Sequence, residues 1–324
     1  MKTKKTGQQF DTTFDKEIYE GLTAFPKYIS SKWFYDKEGD HLFQQIMHLP
    51  EYYLTGCEYE ILDTHTNEIA SLFSGKDGFE LVDLGAGDGK KTKVLLNHLV
   101  AKNIPVTYKP IDISQNALDN LEQDLQISLP DLQVVTQQGT YFEVLEKLCK
   151  RSGQKKTVIM VLGSNIGNLN HEHAVSFLSD IQKCMTADDL LFMGFDQKKD
   201  PTVILNAYND SQGVTEAFNK NVLKRINKSL DANFDCEAFK HWPTYDPETG
   251  TTKSFLVSTK AQKVNLNKLN LEINLSPWES IHTEISQKYD DHIVDWLARQ
   301  SGLRVIQQFE DSKRYFTDYV FKKL

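Results

Sequence analysis

Short apolar runs and helically spaced apolar residues alternate through the middle of the chain. Runs bounded by turn formers predict strands at "FELVDLG" (79–85), "PVTYKPIDIS" (105–114), "LQVVTQ" (132–137), "KTVIMVLGS" (156–164) and "DLLFMGFD" (189–196). Between them, "KKTKVLLNHLV", "SQNALDNLEQDL", "YFEVLEKLCK" and "EHAVSFLSDIQKCM" repeat apolar residues at spacings of three and four, the period of a helix with one buried face. This alternation predicts an α/β fold, a doubly wound and mainly parallel sheet covered by helices. Two further strands, "LRVIQQFED" and "YFTDYVFKKL", follow the helical "HIVDWLARQSG". They bring the sheet to seven strands and suit an antiparallel edge pair.

From about Pro201 to Tyr289 the pattern changes. Helix-like "PTVILNAYNDSQGVTEAFNKNVLKRINKSL" is followed by strand-like "TTKSFLVSTKAQKVNL" and "ESIHTEISQKY", with "DPETG" (246–250) as a hairpin turn signal. An insertion of this size must bury an apolar face of its own. The N-terminal segment is the natural partner, which predicts a second α+β domain of 10–61 and 201–286 beside a sheet domain of 62–200 and 287–324.

Composition narrows the partners. A net charge of −8 argues against a phosphate-binding surface, because nucleic-acid affinity comes mainly from Lys and Arg. No apolar run approaches the ~18 residues needed to span a bilayer. Cys57, Cys149, Cys184 and Cys236 lie far apart without CxxC spacing, which fits a reduced, cytoplasmic setting. The expectation is a monomer acting on a small molecule, with neither nucleic acid nor membrane as partner.

The stretch "LVDLGAGDGKKTKVLL" places a strand, a glycine-rich turn and a helix in succession. A dinucleotide fingerprint needs a third glycine where Lys90 stands, which weakens that reading. What remains is Asp83 followed by Gly85, Gly87 and Gly89, a turn that lets backbone approach a ligand lacking a pyrophosphate. The next strand ends in Asp112, placed as an acid that meets ribose hydroxyls. Together these residues resemble the S-adenosylmethionine pocket of class I methyltransferases. The bland alternative is a tight turn without ligand.

Longer stretches carry a more specific likeness. "KWFYDKEGDHLFQQIMHLPEYYLTGCEYEIL", "VLGSNIGNL", "DQKKDPTVILNAYNDSQGVTEAFNKNVLKRIN" and "ESIHTEISQKY" resemble the histidine-specific Nα-methyltransferase family, which makes trimethylhistidine (hercynine) for ergothioneine biosynthesis. The resemblance runs from about Phe25 to the C-terminus. That family also includes fungal enzymes acting on prenylated tryptophan. It implies a Rossmann-like domain and a second domain made from the N-terminal segment plus the insertion.

Carried over by motif, the resemblance puts cofactor contacts on Gly85, Lys91 and Asp112. It puts Thr140 of "GTYF" where the family commonly has an aspartate for the adenine amine. Asn168 and Tyr208 would hold the substrate carboxylate, and Tyr35 and Tyr52 would stand near the amino group. Glu284 and Ser286 of "HTEIS" would meet the imidazole, whose two ring nitrogens suit a carboxylate and a hydroxyl. Ser254 stands where histidine-specific members usually carry methionine, which keeps a modified histidine or another aromatic amino acid open as substrate. An S-adenosylmethionine-binding sensor without turnover is the non-enzyme alternative.

Methyl transfer needs a neutral amine in line with a sulfonium carbon, and an α-amino group has a pKa of roughly 8. Tyr35 and Tyr52 are therefore expected to position the amine and pass its proton to water. Their bland reading is aromatic core, and that of Glu284 and Ser286 is an exposed strand face. No metal is expected. His171 and His173 lack a third ligand nearby and read as loop histidines, His282 either touches substrate or faces out, and Lys90 and Lys93 read as a solvated helix face.

Overall fold

A computed structural model describes residues 10–139, 149 and 155–324. Thr140 and, apart from Cys149, the stretch "YFEVLEKLCK" lie outside the described residues. In chain order the first elements are α1 (Thr13–Thr23), β1 (Lys27–Tyr28), α2 (Lys37–Ile46), α3 (Tyr53–Thr64), α4 (Thr66–Phe73) and β2 (Phe79–Leu84). Then come α5 (Lys90–Ala101), β3 (Val106–Asp112), α6 (Gln115–Ser128), β4 (Gln133–Val134), β5 (Gln137–Gln138), β6 (Lys156–Val161), α7 (His171–Cys184) and β7 (Leu190–Asp196). The insertion holds α8 (Pro201–Ala207), α9 (Val214–Leu230), β8 (Phe239–Asp246), β9 (Thr251–Ser258), β10 (Gln262–Leu266), β11 (Leu271–Leu275) and β12 (Ser280–Gln287). The chain closes with α10 (Asp291–Gln300), β13 (Leu303–Glu310) and β14 (Phe316–Lys323).

The chain divides into two compact units, unit 1 with 10–52 and Asp200–Ser286, and unit 2 with the described part of Tyr53–Lys199 and Gln287–Leu324. Sequence reading carried the N-terminal part of unit 1 to Ile61. The structure ends it at Tyr52, because α3 packs on α5 and β14 and buries Leu54, Cys57, Glu58 and Ile61 there.

Unit 2 is built on one sheet in the order β13-β14-β7-β6-β2-β3-β4, with β5 also pairing β3. Its centre is parallel, and β14 runs antiparallel between β7 and β13, so the sheet is mixed rather than wholly parallel. The predicted strand 132–137 is split in two, with β4 and β5 both on the edge of β3. Val82, Ile159, Leu191 and Phe321 from the sheet pack with Leu178 and Leu297 of the helices in a continuous core. Side-chain caps set the helix starts: Ser114 accepts from the Ala117 amide, Asn170 from His173 and Asp290 from Ile293.

Unit 1 has a four-stranded sheet, β1-β12-β9-β8, and a separate β10-β11 hairpin. β8 and β11 were absent from the sequence reading. The "DPETG" turn joins β8 to β9, which pair from Phe239↔Ser258 to Asp246↔Thr251. Val222, Leu223 and Ile226 of α9 pack against Leu256 and Ile281 of the sheet and Ile18 and Leu22 of α1. The long predicted helix is broken after Ala207. Asp210 accepts the amides of Gln212, Val214 and Thr215, and Gly213 (φ 74°) turns the chain into α9.

Cysteine spacing alone suggested no pairing, yet Cys149 and Cys184 are joined in a disulfide; Cys57 and Cys236 are free. Among the described residues no helix is long and apolar enough to cross a membrane.

Candidate functional site

In unit 2 the turn after β2 is shaped by Gly85, Gly87 and Gly89, with φ of 78°, 55° and 64°. Those left-handed values are open to glycine and strained for side chains with a Cβ. The amides of Gly85 and Ala86 both donate to the Ile111 carbonyl, and the Gly87 amide donates to Asp112 Oδ2 at 3.1 Å. Asp112 Oδ1 takes the Ser114 amide at 2.9 Å. The half-buried carboxylate is thus held against the turn by two amides, and each oxygen keeps a second lone pair for a hydroxyl. A Cβ added at Gly87 would meet no atom within 4 Å, whereas one at Gly89 would run into Leu121.

Asp83 occupies a different place from the one the sequence suggested. It is 1% exposed, and its Oδ2 accepts from Thr92 at 2.7 Å and Tyr108 at 2.8 Å. Burial pushes this carboxyl up to about 6, against the pull of those two hydroxyls. It therefore braces the strand and helix beneath the turn. Lys91, on the first turn of α5, pairs with Glu58, a fully buried acid of α3. Asn168 is exposed at the end of a short 3-10 turn, Asn165–Asn168, that follows β6.

A second polar centre of unit 2 escaped the sequence reading. Asp196, at the end of β7, is fully buried and receives Lys199 at 2.5 Å, Lys288 at 2.7 Å and the Tyr53 hydroxyl at 2.9 Å. Burial alone would raise its carboxyl, but the two ammonium groups outweigh that and hold it below the ordinary range. Tyr53 opens the first segment of unit 2, Lys199 closes it, and Lys288 is the second residue of the last segment. The available signal for Glu58 was an acid on the apolar stripe of α3.

Unit 1 gathers several of the residues expected on the substrate side. Tyr208 caps the C-terminus of α8, and its hydroxyl donates to Ser286 Oγ of β12 at 2.7 Å. Its carbonyl accepts from His241 Nε2 at 2.9 Å, which fixes the proton of that imidazole on Nε2. Ser254 of β9 is fully buried and donates to Glu284 Oε2 at 3.3 Å. Glu284 and Ser286 alternate along β12, so strand pleating directs both to one face. Tyr35 and Tyr52 set their ring edges against Phe43 with centroids 5.5 and 6.2 Å away. Tyr35 is 38% exposed, whereas Tyr52 packs against the core of the unit.

The remaining histidines divide. The His171 ring lies against Tyr289 and Trp296, and burial lowers its pKa; His282 packs on Phe255 and is lowered by burial as well. Among the described residues no group of His, Cys, Asp and Glu could hold a metal ion.

The family model described as "Histidine-specific methyltransferase, SAM-dependent" matches residues 14–323. Histidine N-alpha-methyltransferase of Mycolicibacterium smegmatis is 35% identical over 297 residues, covering 91% of this chain and 90% of the relative. The Mycobacterium tuberculosis protein of the same name is 33% identical with the same coverage. Ergothioneine biosynthesis protein 1 of Schizosaccharomyces pombe is 27% identical over 91% of this chain and 39% of its own length. With its mixed seven-position sheet, glycine turn and paired acid, the chain belongs to the family of histidine-specific, S-adenosylmethionine-dependent methyltransferases.

Proposed function

We propose that the protein methylates the α-amino group of L-histidine in successive transfers, ending at the trimethylated betaine. The observation that carries this reading is the convergence in unit 1 of Tyr208, Ser254, Glu284 and Ser286, which come from separated segments and are joined by the Tyr208–Ser286 and Ser254–Glu284 hydrogen bonds. The departure at Ser254 fits the same reading. Its hydroxyl holds the Glu284 carboxylate, so the residue that replaces methionine helps to orient the group that reads the ring.

The residues of unit 2 suit S-adenosylmethionine. Asp112 offers lone pairs to a ribose diol beside an open glycine turn, and Lys91 keeps ammonium donors beyond the one given to Glu58. When bound, the cofactor supplies an electrophilic methyl group on a sulfonium.

On the substrate side, Glu284 and Ser286 fix the imidazole and Tyr208 takes the carboxylate, its hydroxyl turning from Ser286 to the ligand. Tyr35 and Tyr52 hold the amine with its lone pair exposed and pass the departing proton to water. An unperturbed phenol is too weak a base at pH 7 to retain it. Catalysis then rests on alignment and exclusion of water.

The test is mass spectrometry of the protein with S-adenosylmethionine and, separately, L-histidine, histamine, L-tryptophan and L-tyrosine. Mono-, di- and trimethylated L-histidine should appear in order, with histamine inert for want of a carboxylate. Turnover of another amino acid without L-histidine would reject the substrate assignment, and a product stopping at one methyl would reject the endpoint.

A further inference from the structure

The Glu58 carboxylate is the buried acid that the proposed chemistry leaves unused. Its side chain is 0% exposed, yet it lies where two site segments of unit 2 meet. It pairs with the Lys91 ammonium on the first turn of α5. It also accepts the Gly163 amide on both oxygens, at 2.8 and 2.9 Å, in the "GSNIGNL" loop after β6. The space it occupies is made by Gly194 of β7, where any Cβ would strike Glu58 Oε1. Across the register from Gly194 stands Asp318 of β14, wholly buried. Burial and the neighbouring Glu58 charge push the Asp318 carboxyl well up.

The Lys91 side chain of this ion pair is 22% exposed. An ammonium has three donors in a compact point charge on a flexible stem, and nothing in a free lysine fixes where they point. A buried carboxylate that is itself held by the Gly163 amide does fix it.

We propose that Glu58 is a positioning residue of the cofactor site: by holding the Lys91 ammonium against the Gly163 amide, it sets where that lysine meets the carboxylate of S-adenosylmethionine. The carboxylate is the anionic group that a lysine in this pocket can recognise on that cofactor. The inference rests on the reading of Lys91 as a cofactor contact, and it adds a residue from α3, outside both the glycine turn and the strand ends.

The experiment is calorimetric titration of S-adenosylmethionine into wild type, Lys91→Met, Glu58→Gln and the double variant, with KM for L-histidine at saturating cofactor measured alongside. Glu58→Gln should weaken cofactor binding by about tenfold, the scale of a charged hydrogen bond, while KM for L-histidine stays within about twofold. The double variant should bind no worse than Lys91→Met, since Glu58 acts through Lys91. Glu58→Asp, which keeps the charge and withdraws it by one methylene, should lose roughly threefold and serves if the glutamine variant does not fold. Unchanged cofactor affinity in both Glu58 variants with a weakened Lys91→Met would overturn the role of Glu58 and leave that of Lys91 standing. Additive losses in the double variant would make Glu58 a structural acid independent of the lysine and overturn the proposal. Full affinity in Lys91→Met would remove the Lys91 reading and the Glu58 proposal together.

Discussion

The turn after β2 in unit 2 is held by main-chain groups: three glycines in left-handed conformations, with amides that donate to Ile111 and Asp112. The cluster in unit 1 is held by side chains, with Tyr208 from the end of α8, Ser254 from β9, and Glu284 and Ser286 from β12. The two therefore fail in opposite ways. A backbone-built turn is broken by adding atoms, and a side-chain cluster by removing them. They also differ in sequence span, since the turn needs residues 83–89 and one acid after the next strand, whereas the cluster spans Tyr208 to Ser286.

Adding atoms to the turn gives the largest expected effect. Gly85→Val places a β-branched residue at φ 78°. Strain of about 1–3 kcal/mol and the blocked approach of the ligand should together lower cofactor affinity by roughly 100-fold or more. L-histidine affinity measured without cofactor should stay within about threefold, because the turn carries none of the residues proposed to hold that substrate. A variant that still binds S-adenosylmethionine normally in a calorimeter would show that the turn is only a connection between β2 and α5.

Removing atoms from the cluster comes next. Glu284→Ala should raise KM for L-histidine by roughly 10–100-fold, the scale of a lost charge-assisted hydrogen bond, and leave cofactor affinity unchanged. Unaltered histidine kinetics would refute imidazole recognition by this carboxylate. Tyr208→Phe deletes one neutral hydroxyl, and KM should rise by about 3–10-fold. Combining it with Ser286→Ala sharpens the point: the two losses should fall short of additive, because each removes half of one hydrogen bond. Strict additivity would mean that the pair does not act together.

The smallest effect tests the brace beneath the turn. Burial raises Asp83 to about 6, against roughly 3.9 in an unfolded chain. Between those values the native state binds the extra proton, so this residue's contribution to stability falls as pH rises. A carboxamide in its place does not ionise and retains an acceptor for Thr92 and Tyr108. Asp83→Asn should therefore gain on wild type by roughly 3 °C in melting temperature between pH 4 and pH 8. A pH-independent difference would show that the carboxyl titrates normally. Cofactor affinity within about threefold of wild type would separate this bracing role from direct contact.

Legibility in the sequence followed the range of the forces involved. Local signals found β2, β3, β6, β7, β13 and β14 and the helices α5, α6, α7 and α10, since strand alternation, helical spacing and capping residues act over a few positions. They also found the turn and Asp112, where the spacing of one βαβ unit is enough. Missed were β8, whose Phe239, Trp242 and Tyr245 recur every third position rather than every second, β11, whose alternating "LEINL" is only five residues long, and the break before α9, where Asp210 and Gly213 supplied a stop signal inside a helical pattern. Asp83 was placed at the ligand because spacing shows that an acid is near a turn and not which way it is buried.

The sequence by itself determined the order of the main elements and the glycine turn with its paired acid, because each is written in contiguous motifs. Tertiary structure alone decided that α3 joins unit 2 at Tyr53, that Glu58 meets Lys91, and that Asp196 gathers Lys288 and Tyr53. These outcomes depend on the cost of burying charge. An isolated ion is expensive to desolvate, and which partner offsets that cost depends on packing between residues more than thirty positions apart, which no local pattern encodes.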